Sequence, residues 1–265
     1  MEHADIALAA LRLQLDWGAD EALADAPIDR FAGKEPTASD RAPAVAGGHR
    51  DRPMPARPGP AAAPASILAA EAAASSAATL AGLRAVLERF EGCKLRDTAT
   101  SLVWADGPDD ARVMLVGDAP GPDEDRTGRP FAGATGDYLG AMLGSVGLTG
   151  AVRLTTLLPW RPPGGRPPTD SEVAVCLPFL LRHLALVRPD FLLIAGPQAC
   201  SALAGDAARR MRRKEAPAWL DVAIPGHADI RALVIPPPGV TRRTPAARRD
   251  SWRALCALAR AMNGR

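Results

Sequence analysis

The chain has 265 residues, 47% of them hydrophobic and 23% charged, which suits a globular protein of one large domain or one domain with appendages. No apolar run approaches the roughly 18 residues of a membrane span, and acids stand near the N-terminus where an export signal would be basic. Cys93, Cys176, Cys200 and Cys256 are widely spaced without a CxxC pair, which argues for a reducing, cytoplasmic setting and against a disulfide scaffold. Net charge is only +2, yet from Gly205 onward 13 Lys/Arg face 5 Asp/Glu. Arg209, Arg210, Arg212, Arg213 and Lys214 form one basic cluster; Arg242, Arg243, Arg248 and Arg249 form another. Both a polyanion partner and a solvated arginine-rich face fit this distribution.

In chain order, residues 1–32 hold an amphipathic helical segment, with Ile6, Leu8, Leu11, Leu13, Leu15 and Trp17 spaced among charges. Residues 33–65 turn rich in Pro, Gly and Ala with no apolar period, the composition of a disordered linker. A leading helix over 66–91, with Leu80, Leu83, Leu87 and Phe90 on one face and Gly92 as its stop signal, opens a domain that runs over 66–265. Four apolar strands follow at 112–116, 152–158, 190–195 and 232–235. Helical patterns alternate with them at 136–146, 171–187, 197–203 and 244–262; Thr169 or Asp170 can cap the second of these. This alternation specifies an α/β protein: a three-layer α/β/α sandwich around a central four-stranded parallel sheet. Loops after the first, second and fourth strands would converge on one crevice at the strand C-termini.

The first of those loops carries the chemistry. Val113-Met114-Leu115-Val116 runs into Gly117 and then DAPGPDEDRTGRPFAGATG, a Gly/Pro-rich loop with one aromatic, Phe131, held by Pro130. Phe131 there suits stacking on a flat ligand or anchoring of the loop; Asp118 suits catalysis or closure of a turn. Trp160 beside Arg161 suits a nucleic-acid contact or core packing, and His183, on a helix, reads as structural. His227 matches no motif.

GDAPGPDEDRTGRPFAGATG resembles the first motif of the uracil-DNA glycosylase superfamily, family 4 branch, which typically reads GEAPG..ED..G.PF.G..G. LTTLLPWRPPGGRPPTDSEVAVCLPFL resembles the branch's second region, and TPAARRDSW the stretch after its third motif, HP..LLR. The resemblance spans residues 90–262. It implies a fold that extrudes a deoxyuridine from DNA and hydrolyses its N-glycosidic bond. Carried over, it makes Asp118 the catalytic carboxylate, in a position usually held by Glu. Gly117, Ala119, Phe131, Thr156 and Pro237 become the base pocket, with Phe131 the stacking ring. Arg161, Arg166, Arg242 and Arg243 become DNA contacts. Two positions depart from the pattern: the edge-reading Asn falls on Thr156, whose hydroxyl offers one donor, and the third-motif His falls on Pro237, which offers none. The branch's iron–sulfur ligands fall on Cys93, Arg96, Trp160 and Cys176, two thiols where a cluster needs four, so no cofactor or metal is expected. The expected partner is uracil-containing DNA, single- or double-stranded, bound by a monomer with no membrane association. Two readings survive: a glycosylase of base-excision repair, and a paralogue that keeps the DNA groove without excising bases.

Overall fold

The structure is a computed structural model that describes residues 65–210 and 218–264. The N-terminal segment 1–32, nearly all of the linker 33–65 and the basic residues Arg212, Arg213 and Lys214 lie outside the described residues.

The expected leading helix is two helices, α1 (Ala65–Ser76) and α2 (Leu80–Arg89). Local hydrogen bonding breaks it: the Ser75 and Ser76 hydroxyls turn back to the carbonyls of Ala72 and Ala73, and Thr79 Oγ1 caps α2 by accepting from Gly82 N–H at 3.0 Å. Arg182, from a later helix, donates to the Ala77 carbonyl freed at the break.

Strands and helices then alternate as β1 (Ala105–Asp106), β2 (Val113–Gly117), α3 (Pro122–Thr127), α4 (Ala134–Gly144), β3 (Val152–Thr156), α5 (Asp170–Val187), β4 (Phe191–Ala195), α6 (Pro197–Arg210), β5 (Trp219–Val222), β6 (Ile230–Ile235), α7 (Pro238–Arg243) and α8 (Pro245–Asn263). The sheet order is β1-β3-β2-β4-β6-β5. β3, β2, β4 and β6 are parallel, while β1 and β5 join antiparallel at the edges. Among the described residues the sheet therefore has six strands, not four. The two missed strands are short: β1 pairs through two residues, and β5 sets buried Leu220 and Val222 around exposed Asp221, too briefly for a period to emerge.

Strand alternation sorts the core onto two faces. Met114, Val116, Leu192 and Ile194 pack against α1, α2, α5 and α6; Val113, Leu115, Phe191 and Leu193 pack against α4 and α8. α5, the most strongly patterned helix, opens with Thr169 and Glu172 bonding each other's backbone N–H groups. Its buried His183 accepts from Arg153 Nε at 2.8 Å and stacks on Trp104, so it is a structural histidine. Burial and the Arg153 charge hold its pKa down at about 3.

The parallel strands are wound so that the chain leaves β2 toward β3 and leaves β4 toward β6 on the other side. The C-terminal ends of β2 and β4, where Gly117 lies level with Ala195, therefore flank the crevice in which open α/β sheets bind ligands.

Candidate active site

Gly117 ends β2, buried and in register with Thr156 on one side and Ala195 on the other. Beyond it the loop is held from within. Glu124 accepts from Gly121 N–H at 3.0 Å, and Asp125 accepts from the N–H groups of Thr100 and Ser101. Phe131 adopts the left-handed conformation (φ 53). Its ring lies over Gly117 so closely that a Cβ there would come within 2.7 Å of Cζ. The Phe131 carbonyl similarly occupies the place of any side chain at Gly136. The loop's glycines at 117 and 136 thus fix an aromatic platform at the end of β2.

Asp118, one residue on, faces the opposite side, as strand alternation requires. Its Oδ1 accepts from the N–H of Ala199 at 2.7 Å, and it is also bonded by the N–H of Gln198, both in the first turn of α6. Gly196 makes room: its φ of 144 suits glycine, and any side chain there would collide with the carboxyl group. Burial pushes the Asp118 pKa up, against the pull of the Ala199 and Gln198 amides.

On this side a cleft of about 390 Å³ opens, lined by Asp118, Ala119, Arg161, Arg166 and Gln198 and walled by Pro120, Pro162, Pro167 and Pro168. Arg161 Nε and Gln198 Oε1 are buried and have no hydrogen-bond partner in the protein. Trp160, buried to 3% exposure, anchors the segment that presents Arg161, so packing is its role here. Arg166 is held by Glu172 in a two-pronged pair at 2.6 and 2.9 Å, which brings the Glu172 pKa down to about 2.

The remaining expected residues sit apart from this cleft. Thr156 is buried, and its hydroxyl donates to the Leu158 carbonyl at 2.7 Å. Pro237 follows β6 and caps α7; its carbonyl accepts from Val240 and Thr241 N–H at 2.9 Å. Arg242 and Arg243 are exposed in the last turn of α7, near exposed Val240. Sequence reasoning missed Gln198. The one available signal was its place just after β4, in a Gly-Pro turn opening α6.

The cluster positions do not suit a four-iron centre. Cys93 and Cys176 place their sulfurs 3.8 Å apart in the core; Arg96 donates to the Phe90 carbonyl, and the Trp160 indole is packed among hydrocarbon. Among the described residues no group of three His, Cys, Asp or Glu could hold a metal ion.

The fold is a doubly wound α/β/α domain with an aromatic platform and an acid at the end of its first parallel strand. A profile of the uracil DNA glycosylase superfamily matches residues 104–256, and the chain belongs to that superfamily. It is 43% identical over 105 residues to the type-4 uracil-DNA glycosylase of Archaeoglobus fulgidus, covering 39% of this chain and 53% of that protein. It is 35% identical over 116 residues to that of Thermotoga maritima (43% and 60%) and 34% over 122 to that of Pyrobaculum aerophilum (46% and 62%). The chain thus spans about half to three-fifths of the length of these relatives.

Proposed function

We propose that the protein is a uracil-DNA glycosylase of base-excision repair that hydrolyses the N-glycosidic bond of an extruded deoxyuridine. The observation that carries this reading is the Phe131 ring laid over Gly117 beside Asp118, at the end of β2, within a chain of this superfamily. The base would stack on Phe131, worth about 1–3 kcal/mol by the usual measure of base–aromatic contacts. At the same strand end the Asp118 carboxylate would favour the oxocarbenium-like sugar and the attacking water. Water adds at C1′ as the C1′–N1 bond breaks; the electron pair leaves with uracil, and the surplus proton of the water passes to solvent or base. Arg242 and Arg243 would grip phosphates. Thr156 and Pro237 supply no free donor to the departing oxygens, so turnover is expected to be slow rather than absent.

The same reading holds that the protein works without an iron–sulfur cluster, as a cytoplasmic monomer; two thiols, a guanidinium and a packed indole at the four ligand positions support the first point. Purified protein should contain far less than about four iron atoms per chain. The functional test is single-turnover excision on uracil oligonucleotides, single- and double-stranded. Product formation that collapses in Phe131→Ala is expected. No uracil-dependent product at stoichiometric protein would overturn the reading.

A further inference from the structure

Two buried polar atoms without partners border the cleft at the crevice between β2 and β4, and they are of opposite kind. Arg161 Nε is a donor, and Gln198 Oε1 an acceptor. A buried donor or acceptor left unpaired costs free energy, so native proteins rarely keep one without a use. Other groups of the cleft are already engaged: Asp118 by the first turn of α6, Arg166 by Glu172. The walls are mostly proline and glycine, which present flat apolar surface to a ring and no competing side-chain donors.

We propose that Arg161 and Gln198 read the lactam edge of a nucleobase, a carbonyl oxygen next to a ring N–H, as found in uracil, thymine and guanine. Arg161 donates to the carbonyl, and the Gln198 amide accepts from the N–H. Adenine and cytosine present an amino group next to an unprotonated ring nitrogen, the reverse order of donor and acceptor along the edge, and are rejected. A phosphate group is the poorer fit, because it offers only acceptors and would meet the lone pairs of Gln198 Oε1 and Asp118. This rests on the nucleic-acid reading above and assigns to positions 161 and 198 the edge recognition that Thr156, with its hydroxyl bound to Leu158, does not provide.

The lactam edge can come from the extruded uracil or from a base flanking it on a single strand. Equilibrium binding of single-stranded oligonucleotides separates the two without requiring turnover. One set carries 2′-fluoro-deoxyuridine or 2′-fluoro-deoxycytidine at the target with constant flanks; the other keeps the uridine analogue and varies each flank among all four bases. Wild type should prefer the lactam base in one set by about tenfold, the value of one hydrogen bond to a buried group. Gln198→Leu should abolish that preference and retain the salt dependence of binding, while Gln198→Asn should restore part of it. The set in which preference is lost names the source. No lactam preference in either set, or a preference that survives Gln198→Leu in protein of unchanged thermal midpoint, overturns the assignment. Uracil excision by wild type in that case would leave the glycosylase reading standing.

Discussion

The two sides of the end of β2 have been treated differently by this sequence. On the side facing α4 and α8, the Phe131 ring covers Gly117, the Thr156 hydroxyl serves Leu158, and the Pro237 carbonyl serves the first turn of α7. On the side facing α5 and α6, Asp118 keeps a carboxylate whose ionisation burial opposes, and Arg161 and Gln198 keep atoms with no partner. Thr156 and Pro237 both take part in local backbone bonding. Unpaired polarity remains only across the strand, among the described residues of the crevice. A crevice can thus be closed on one face and still keep unpaired polar groups on the other.

The largest expected effect tests whether the Asp118 side matters at all. Asp118→Asn should lower single-turnover excision by roughly 10²–10³, the usual worth of one well-placed group acting on developing charge. Gly196→Ala should cost about as much, because the new methyl displaces the Asp118 carboxyl from the α6 amides without touching its identity. Excision in both variants equal to wild type would put all chemistry on the Phe131 side.

Trp160→Ala tests the anchoring of the same side. A tryptophan buried to 3% exposure should cost about 3–5 kcal/mol when truncated, measured by denaturant unfolding. Because Trp160 holds the segment presenting Arg161, affinity for DNA should fall more than excision of already saturated substrate. The converse pattern would mean that the loop is ordered by its prolines alone. Restoring the other side should do less. With its hydroxyl bound inward and its surroundings closed, Thr156→Asn should change excision by only a few-fold, and a large gain would show that the pocket there is open after all.

Much of this architecture was legible in the sequence, and the reason is local. Val113–Gly117 and Phe191–Ala195 are buried on both faces, so they read as unbroken apolar runs, and the GDAPG and RPFAG segments require their glycines for close packing. What escaped was set by partners distant in sequence. The direction of Asp118 depends on α6, some 80 residues later, and Gln198 carries no motif; only the fold shows both on one cleft. Likewise, the break after Ser76 is sealed by Arg182 from α5, beyond the reach of any local period.

A pH effect on stability separates the sheet from the cleft. The folded-state pKa of His183 is lowered from 6.5 to about 3, so between those values the unfolded chain takes up a proton that the folded protein refuses. Stability from this group is complete above pH 6.5 and is lost as pH falls toward 3. Glu172, lowered from 4.5 to about 2, adds a loss in the same direction below 4.5. Asp118, raised by burial, contributes in the opposite sense, favouring the folded state at low pH. Urea midpoints should therefore drop from pH 7 to pH 4, and His183→Gln should flatten that drop by about one proton's worth of slope. An unchanged slope would show that His183 takes up its proton in the folded protein.

The smallest expected effect concerns the two arginines of the cleft. Arg166 is exposed and bound at both nitrogens by Glu172, so its charge is already matched; Arg161 Nε has no hydrogen-bond partner. Neutralising a residue that contacts one phosphate should reduce the salt slope of DNA binding by about 0.7–0.9. Arg166→Gln should change it by less than half of that, and also leave Glu172 as a new uncompensated anion near the DNA, which works against affinity at low salt. Glu172→Gln resolves the two contributions, since it frees Arg166 and should steepen the slope toward one further phosphate. If Arg166→Gln alone removes a full unit while Glu172→Gln does nothing, then DNA displaces the ion pair on binding, and the cleft is wider in the complex than in the free protein.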